Sequence, residues 1–506
     1  MRRDPRLVAV LVVGVVVAVT WVAAAKAPTP SGSVAAKSSV IAIRQSTLVC
    51  PQAGGTPDNG AARIAYADAE AAASAGSALT AQALGPASSA APIPLQPGKA
   101  WVVDGPAAIG PVQLTASGPA AESLSAVQFT RAPVGPASQI SAVQCAGATT
   151  DAWFAGFSSE VGAHATLLLS NVDTAPASID VSIWGGAPGE PNIRRGIAVA
   201  ALSQVAVSLD EVEPGLSVGV VHVVATAGRV VPALRDDAAN GSIPLGVDWL
   251  PATGAPAKSQ IVPGILGDAG SRRLIVADPG TLDATVSLTV VTADGSFEPT
   301  ELASVQVAAG SVSDITLDPV LQTEAAAIIV NSTEAVVVGG ISALPLDATG
   351  ASDFAFTGAA SPLSGPTVVA GGEIAPQRRT ELVLSAPGAD AQVIVSILPT
   401  TLGSTRTENP VPVPGGTTVV LDISTLAGDA APGVVVTPVS GGPVYAAWAL
   451  EEMSSNGASS AVTNAVSSAA PTVEAGTGAI TELVLATPVR SLLRPPARFD
   501  PAVGVR

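Results

Sequence analysis

Residues 177–183 (ASIDVSI), 284–290 (ATVSLTV) and 391–397 (AQVIVSI) repeat one pattern at a spacing of 107 residues, since 284 − 177 and 391 − 284 both equal 107. Each stretch alternates branched apolar residues with small or polar ones, the period-two pattern of a β-strand with one buried face. A repeat of this length indicates duplicated domains, because the units of solenoid proteins span only about 20 to 50 residues. The sequence therefore predicts tandem copies of one strand-built module.

Short apolar stretches surround this strand in each copy and are separated by turns containing Gly and Pro. Short strands spaced by about 8 to 12 residues are typical of an all-β sandwich or barrel. About six or seven strands per copy favour tandem immunoglobulin-like β-sandwich modules. A β-propeller in which each copy supplies two blades is the alternative. Each copy is predicted to end in a hairpin, with turns at residues 225–228, 331–334 and 438–442.

These patterns divide the chain into eight regions. They are a basic cytoplasmic end (1–6), a transmembrane signal anchor or signal peptide (7–25), a linker (26–44), an N-terminal β region with a low-complexity insert (45–150), β-sandwich modules 1 (151–258), 2 (259–365) and 3 (366–452), and a partly disordered C-terminal extension (453–506).

The N-terminal segment indicates where the protein resides. Residues 7–25 form an uncharged apolar run of 19 residues, long enough, at about 1.5 Å per helical residue, to cross a bilayer core of roughly 30 Å. Arg2, Arg3 and Arg6 precede this run and are expected to keep that end in the cytoplasm. A single-pass membrane protein with its bulk outside the cytoplasm is predicted. Ala23 and Ala25 also allow a cleaved signal peptide and a secreted product.

The composition excludes some partners. The chain has a net charge of −17 and only 12% charged residues, which disfavours binding to nucleic acid, because such binding requires clustered Lys and Arg. Aromatic residues make up 3% of the chain, too few for an extensive stacking surface.

Cys50 and Cys145 are the two cysteines of the chain. Outside the cytoplasm, an isolated pair is most simply explained by one disulfide. Two buried free thiols are the alternative. Metal binding is not predicted, because His164 and His222 are the only histidines available to join the two cysteines.

No catalytic motif is convincing. Residues 215–219 match the G-x-S-x-G pattern, but the following residues, 220–224, resemble a strand rather than the helix that a nucleophile elbow requires. The acidic pairs 236–237 and 451–452 are expected in loops, with each pair pointing to opposite faces. Asp210, Glu211 and Glu213 lack the regular spacing of a calcium loop. We expect no catalytic residues, no metal site and no cofactor.

The tryptophans are expected to be buried anchors of the modules. The residues concerned are Trp153, Trp184, Trp249 and Trp448. A ligand-stacking surface, the other interpretation, would require several of them on one face.

The cysteine contexts, residues 153–156 (WFAG), residues 247–251 (VDWLP) and the repeated strand together resemble an actinobacterial family of extracytoplasmic proteins, domain of unknown function 5719. The resemblance covers roughly residues 45 to 450. It implies a mainly β fold and a location outside the cytoplasm, and it brings no catalytic residues.

Together these features predict a non-enzymatic cell-envelope protein that projects a row of β modules. Its expected role is a membrane-anchored scaffold or a binding module for an envelope protein or polysaccharide. A secreted adhesin, or an accessory protein or enzyme of envelope glycan assembly, are the alternatives.

Overall fold

The computed structural model describes residues 39–52, 61–68, 77–85, 91–93, 100–104, 110–134, 137–267, 269–347, 350–370, 378–398, 407–427, 433–453, 478–485 and 491–494. Residues 43–490 form one compact unit, and the two chain ends form a second. Arg2, Arg3, Arg6 and the predicted membrane segment lie outside the described residues. Within the described part, no helix is long and apolar enough to cross a membrane.

The large unit contains four modules built almost entirely from strands. The N-terminal module has β2 (Gln45–Cys50), β3 (Ala61–Asp68), β4 (Ala78–Ala83), β5 (Ala91–Ile93), β6 (Ala100–Asp104), β7 (Val112–Ser117), β8 (Leu124–Val134) and β9 (Ala137–Gln144). Module 1 has β10 (Asp151–Phe157), β11 (Ala163–Asn171), β12 (Ala177–Trp184), β13 (Asn192–Val199), β14 (Ser203–Ser208), β15 (Gly219–Ala227), β16 (Val231–Asn240) and β17 (Ile243–Leu250).

Module 2 has β18 (Ala257–Ile265), β19 (Ser271–Asp278), β20 (Ala284–Thr292), β21 (Gly295–Phe297), β22 (Val305–Val307), β23 (Ser311–Thr316), β24 (Ala326–Ala343) and β25 (Phe354–Gly358). Module 3 has β26 (Thr367–Val369), β27 (Arg378–Ala386), β28 (Ala391–Leu398), β29 (Thr407–Val413), β30 (Thr417–Asp422), β31 (Gly433–Gly441), β32 (Tyr445–Met453) and β33 (Gly478–Val484). The short helices are α1 (Ala120–Ser123), α2 (Leu209–Val212), α3 (Asp318–Leu321), α4 (Ile423–Ala427) and a 3₁₀ turn (Thr300–Leu302).

The predicted repeat is confirmed at the level of individual strands. Ala177, Ala284 and Ala391 each begin the third strand of their module, and their alternating apolar side chains are buried. This follows from the period of two, which places every second side chain on the face that packs into the core. The all-β prediction is therefore confirmed.

Each module consists of two antiparallel sheets, and the strand order is the same in all four. One sheet follows the order first, sixth, third, fourth strand, as in β10-β15-β12-β13. The other follows fifth, second, seventh, eighth, as in β14-β11-β16-β17. In module 2 the single long strand β24 supplies both the sixth and the seventh positions. In each sheet only one pair of neighbours, third–fourth or seventh–eighth, is consecutive in sequence, whereas all neighbouring strands of a propeller blade are consecutive, and the β-propeller alternative does not apply.

The predicted closing hairpins are wrong. In module 1 the two expected arms are β15 and β16, which lie in different sheets. In module 2, Asn331 to Glu334 lie inside the continuous strand β24 instead of forming a turn. Two strands joined by a short turn can pair with each other or can lie in different sheets. The sequence pattern, two apolar stretches separated by a turn, is the same in both cases.

Several boundaries differ from those read off the sequence. The N-terminal region, expected to be less regular, has the same strand order as the other modules. The predicted end of module 3 at residue 452 falls inside β32, which pairs with β33 from the predicted C-terminal extension. Within the same extension, which was expected to be partly disordered, residues 491–494 form strand β34, which pairs antiparallel with β1 (Ser39–Ala42).

The four modules do not form a row but close into a ring. Module 1 packs on module 2 through Ile275 and Phe356, which share a core cluster with the module 1 residue Trp153. Thr418 of module 3 donates a hydrogen bond to the carbonyl oxygen of Val291 of module 2 at 2.7 Å. The N-terminal module contacts both module 3 and module 1.

Phe129 of the N-terminal module lies 5.9 Å, between ring centroids, from Trp448 of module 3. On its other side, Val143 packs against a cluster of module 1 residues that consists of Leu168, Ala233 and Trp249. Because the first module contacts the last, the ring is closed, and the eighth strand of every module is brought to the centre.

Candidate functional site

The centre of the ring is formed by the four eighth strands, β9, β17, β25 and β33, and two buried aspartates link them. Asp248 on β17 accepts a hydrogen bond from the backbone N–H of Ala142 on β9, at 3.3 Å. It also accepts one from the hydroxyl of Thr481 on β33, at 2.8 Å. One carboxyl therefore ties together the N-terminal module, module 1 and module 3.

Asp353, immediately before β25, makes the complementary set of contacts. Its carboxyl oxygens accept hydrogen bonds from the backbone N–H groups of Val247, Phe354 and Ile480, each at 3.1 Å. Val247 belongs to module 1 and Ile480 to module 3. The two aspartates together bond strands from all four modules.

Both carboxyls are fully buried, and burial is the main cause of their altered pKa. Burial disfavours a charged carboxylate and raises the pKa of Asp248 and Asp353 well above the usual range. The backbone donors act in the opposite direction, and a negative charge on Asp248 would further raise the pKa of Asp353. Burial therefore favours the protonated form of both carboxyls.

Glu482 on β33 is a third buried acid of a different kind. Its side chain is 1% exposed, and neither carboxyl oxygen has a hydrogen-bond partner among the described residues. The neighbouring Thr357 hydroxyl donates its one proton to the carbonyl oxygen of Pro263 at 2.7 Å. Burial raises the pKa of Glu482 well above its usual range, the nearby Thr357 hydroxyl acts in the opposite direction, and a negative charge on Asp248 would raise the pKa further.

Gly264 explains how the Glu482 carboxyl fits between modules 2 and 3. A Cβ atom at Gly264 would lie 1.8 Å from Oε1 of Glu482, and the backbone φ angle at Gly264 is +78°. A side chain at this position would collide with the carboxyl, and the positive φ favours glycine independently. Glycine at position 264 is therefore required by both space and backbone conformation.

The three acids do not form a recognisable metal centre. Across the residues that the structure describes, no group of three or more His, Cys, Asp or Glu side chains is arranged to hold a metal ion. The arrangement of Asp248 and Asp353 is that of structural junctions, because each accepts hydrogen bonds from backbone groups of other modules.

An apolar cavity of about 660 Å³ opens where the four central strands end. Its wall is formed by residues 142–147, 249–254, 359–361 and 482–484, one segment from each module. Cavities of about 300 to 1,000 Å³ are the size range of small-molecule sites. We refer to this space as the axial cavity and regard it as the candidate binding site.

The predicted disulfide is confirmed and helps to form the cavity wall. Cys50 and Cys145 are joined, with a sequence separation of 95 residues. Both residues are buried, and Cys145 lines the axial cavity together with Val49. The bond joins the end of β2 to the segment after β9, and so holds one wall of the cavity to the N-terminal module.

The tryptophans named in the sequence analysis are all buried, with exposures between 0% and 7%. They are not distributed one per module, because Trp153, Trp184 and Trp249 all belong to module 1. Trp153 stacks between Trp184, at 5.3 Å, and His222, at 3.8 Å between ring centroids. Trp249 lines the axial cavity, a position that the sequence did not predict.

The two histidines lie apart and pair with different acids. His222 lies 2.9 Å from the carboxylate of Asp151, and His164 lies 3.3 Å from that of Asp210. His164 is exposed near the start of β11, where it pairs with Asp237 of β16, and the pairing of β11 with β14 begins only at Thr166. Ser217 of the G-x-S-x-G match leads directly into strand β15, so the required helix is absent at this position.

The acidic groups named from the sequence have separate roles. Asp210 accepts a hydrogen bond from Ser208 at 2.7 Å, and Glu213 accepts one from Asn192 at 2.6 Å. The pairs 236–237 and 451–452 lie in strands β16 and β32, not in loops. Asp236 is buried, whereas Asp237 is partly exposed, as alternation along a strand requires.

Sequence reasoning missed Asp248, Asp353 and Glu482 as central residues. A signal was present, because each is a single acid within a short, otherwise uncharged stretch: VDWL (247–250), SDFAF (352–356) and ITELV (480–484). An acid inside a strand pattern is a candidate for burial when no basic residue accompanies it.

Asp236 provides a pH-dependent test within module 1. Burial raises its pKa to about 7, while Oδ2 accepts a hydrogen bond from the backbone N–H of Ser158. Between the unfolded pKa of about 3.9 and 7, the folded state holds a proton that the unfolded state releases, so stability falls as pH rises. We expect Asp236→Asn to remove this loss, about 1.4 kcal/mol per pH unit in that window.

The measurement is the free energy of unfolding in denaturant, for the wild type and the variant, from pH 4 to pH 9. The difference between the two proteins should change up to about pH 7 and then stay constant. A difference that is the same at every pH would show that Asp236 does not titrate as proposed.

Comparison with known proteins gives a family but no activity. The family model described as "Family of unknown function (DUF5719)" matches residues 100–424. No curated protein matches the chain. A solved structure titled "Crystal Structure of Thermotoga maritima 1070" is 13% identical, with 20% of this chain and 93% of that chain covered, at a TM-score of 0.18.

Proposed function

Because the chain belongs to the family of unknown function DUF5719, whose description names no activity, we propose a function from the molecule's own features. We propose that it is a non-enzymatic protein of the cell envelope, held by its N-terminal segment, with the ring of modules outside the cytoplasm. The ring acts as a rigid scaffold or binding module for an envelope protein or polysaccharide.

The observation that carries the proposed location is the Cys50–Cys145 disulfide. Disulfides persist in oxidising compartments and are rare in the cytosol. The bond connects segments 95 residues apart, and closing a loop of that size contributes about 4 to 5 kcal/mol in the chain-entropy model. Because one disulfide contributes so much of the folding stability, we infer that the protein works in a compartment where disulfides persist.

The closed ring supports the scaffold role. Hydrogen bonds from Ala142, Val247 and Ile480 to two central carboxyls couple the modules to one another. Buried and satisfied hydrogen bonds of this kind favour one arrangement of the packed elements over others. A ring coupled in this way presents the outer edges of its modules at constant positions, as a docking platform requires.

We also infer that each module is a variant of the immunoglobulin-like sandwich. The second strand pairs with the fifth and the third with the sixth, as strands B and E, and C and F, do in that fold. The differences are that the first and seventh strands each occupy the sheet that the other would take, that the fourth strand lies beside the third instead of the fifth, and that an eighth strand is added.

The location is tested with single cysteines and a membrane-impermeant maleimide. Val161→Cys introduces a thiol at a fully exposed side chain, and Asp4→Cys introduces one before the apolar segment. We expect Val161→Cys to be labelled in intact cells and Asp4→Cys only after lysis. Protection of both thiols until lysis would contradict the proposed location. A mature protein that begins at Lys26 would reject the anchor and favour the secreted alternative.

A further inference from the structure

We propose that the axial cavity binds one fatty acyl chain of a membrane lipid. The inference rests on the proposed membrane location for the source of the lipid, and on the cavity itself for the chemistry. Its three supports are the apolar wall, the position of the cavity along the chain, and the side-chain donors of Trp249 and Ser125, which have no hydrogen-bond partner among the described residues.

The wall of the cavity is suited to hydrocarbon. Val143, Phe154 and Leu250 line it together with the indole of Trp249, and the space is about 660 Å³. Transfer of an acyl chain from water into such a space is favourable by about 0.8 kcal/mol for each buried CH₂ group. Glu482 also lines the cavity, and burial raises the pKa of its carboxyl well above the usual range, which favours the uncharged form.

The mouth of the cavity is open, and its rim contains small residues. Ala146, Ala252 and Ser361 are exposed, and each belongs to a cavity segment of a different module. Small side chains at these positions leave an entrance, and the buried Phe154 and Val368 lie deeper in the wall. An extended chain can therefore enter at one end.

The position of the cavity along the chain indicates a membrane source for the ligand. Ile43 lines the cavity and follows the end of the apolar segment, Ala25, by 18 residues, since 43 − 25 = 18. A fully extended tether of this length spans at most about 60 Å. The anchor proposed for residues 7–25 therefore keeps the cavity within that distance of a bilayer.

Two polar groups favour an acyl chain over a plain hydrocarbon. Nε1 of Trp249 and Oγ of Ser125 are buried without a hydrogen-bond partner among the described residues, and both residues line the cavity. A buried polar group without a partner costs about 1 to 3 kcal/mol. The carbonyl or carboxyl oxygen of an acyl group can accept a hydrogen bond from the indole N–H and from the hydroxyl, and so removes this cost.

The test is photo-crosslinking of the full chain in lipid vesicles. The vesicles contain phosphatidylglycerol with a diazirine near the end of one acyl chain, and adducts are located by digestion and mass spectrometry. We expect adducts in residues 249–254 and 142–147 as well as in residues 7–25. Adducts in 7–25 without any in the cavity segments would overturn the cavity proposal and leave the anchor in place. Absence of adducts in 7–25 would overturn the anchor instead.

A matched pair of substitutions controls the experiment. Ala252→Phe narrows the mouth, whereas Ala255→Phe places the same side chain at an exposed position of the same loop that does not line the cavity. We expect Ala252→Phe to reduce cavity adducts about tenfold relative to those in 7–25, the change that 1.4 kcal/mol makes. Ala255→Phe should leave them unchanged. Equal cavity labelling in both variants, with unchanged melting temperatures, would mean that the acyl chain does not enter there.

Discussion

Replacing Asp353 with alanine is expected to destabilise the ring by about 3 kcal/mol. The substitution leaves the N–H groups of Val247, Phe354 and Ile480 without acceptors inside the protein, each at a cost of about 1 to 3 kcal/mol. Burial of the Asp353 carboxyl is itself unfavourable, so its removal partly offsets this cost. The net loss of stability is therefore smaller than the sum of the three hydrogen-bond terms. The measurement is denaturant unfolding at pH 5, followed by tryptophan fluorescence.

A second readout separates loss of coupling from general weakening. Hydrogen exchange at the amides of Val247 and Ile480 should accelerate in Asp353→Ala more than exchange in the outer strands of the same modules. Asp314→Ala is the control, because Asp314 forms a partly exposed ion pair with Arg273 at 2.6 Å. Exposed ion pairs contribute about 0 to 1 kcal/mol. An Asp353→Ala variant no less stable than Asp314→Ala would contradict the central role of this carboxyl.

The second large effect is a loss of stability at rising pH, caused by Asp248. Burial raises its folded pKa well above the usual range, whereas in the unfolded chain the pKa is about 3.9. Above about pH 4 the unfolded state releases a proton that the folded state retains, so raising the pH favours unfolding. We expect Asp248 to reduce the free energy of unfolding by about 1.4 kcal/mol per pH unit until its folded pKa is reached.

Asp248→Asn tests this expectation, because an amide oxygen can still accept from Ala142 and Thr481 but does not titrate. Unfolding measured from pH 5 to pH 8 should give a shallower decline for the variant than for the wild type. Asp314→Asn, outside the ring centre, should follow the wild-type curve. Parallel curves for the wild type and Asp248→Asn would show that Asp248 is already ionised in the folded protein throughout this range.

How far the sequence predicted the site depended on the range of the interactions involved. The disulfide was predictable because Cys50 and Cys145 have only each other as partners. The junctions at Asp248 and Asp353 were not, because their donors lie on Ala142, Val247 and Ile480, more than 100 residues away in each case. Any strand carries backbone N–H groups, so nothing in the donor residues distinguishes them.

The hairpin error has a related cause. Alternation specifies which side chains of a strand are buried, but it does not specify which neighbouring strand pairs with it. β15 and β16 follow one another closely in sequence yet pair with β10 and β12, and with β11 and β17, respectively. Residues 331–334, with Asn, Ser and Thr, resemble a turn, but they lie within β24, where Asn331 pairs with both β18 and β20.

The amino-acid pattern alone determined that the chain is built from repeated strand modules, because period-two alternation and a 107-residue spacing are local properties of the sequence. Only the tertiary structure decided that the N-terminal region is a fourth copy, that the four copies close into a ring, and that Asp248, Asp353 and Glu482 meet near its centre. The physical reason is that ring closure depends on side-chain packing and hydrogen bonds between residues of different modules, such as those of Asp353 with Val247 and Ile480. That complementarity exists only once each sheet has formed and presents its side chains together.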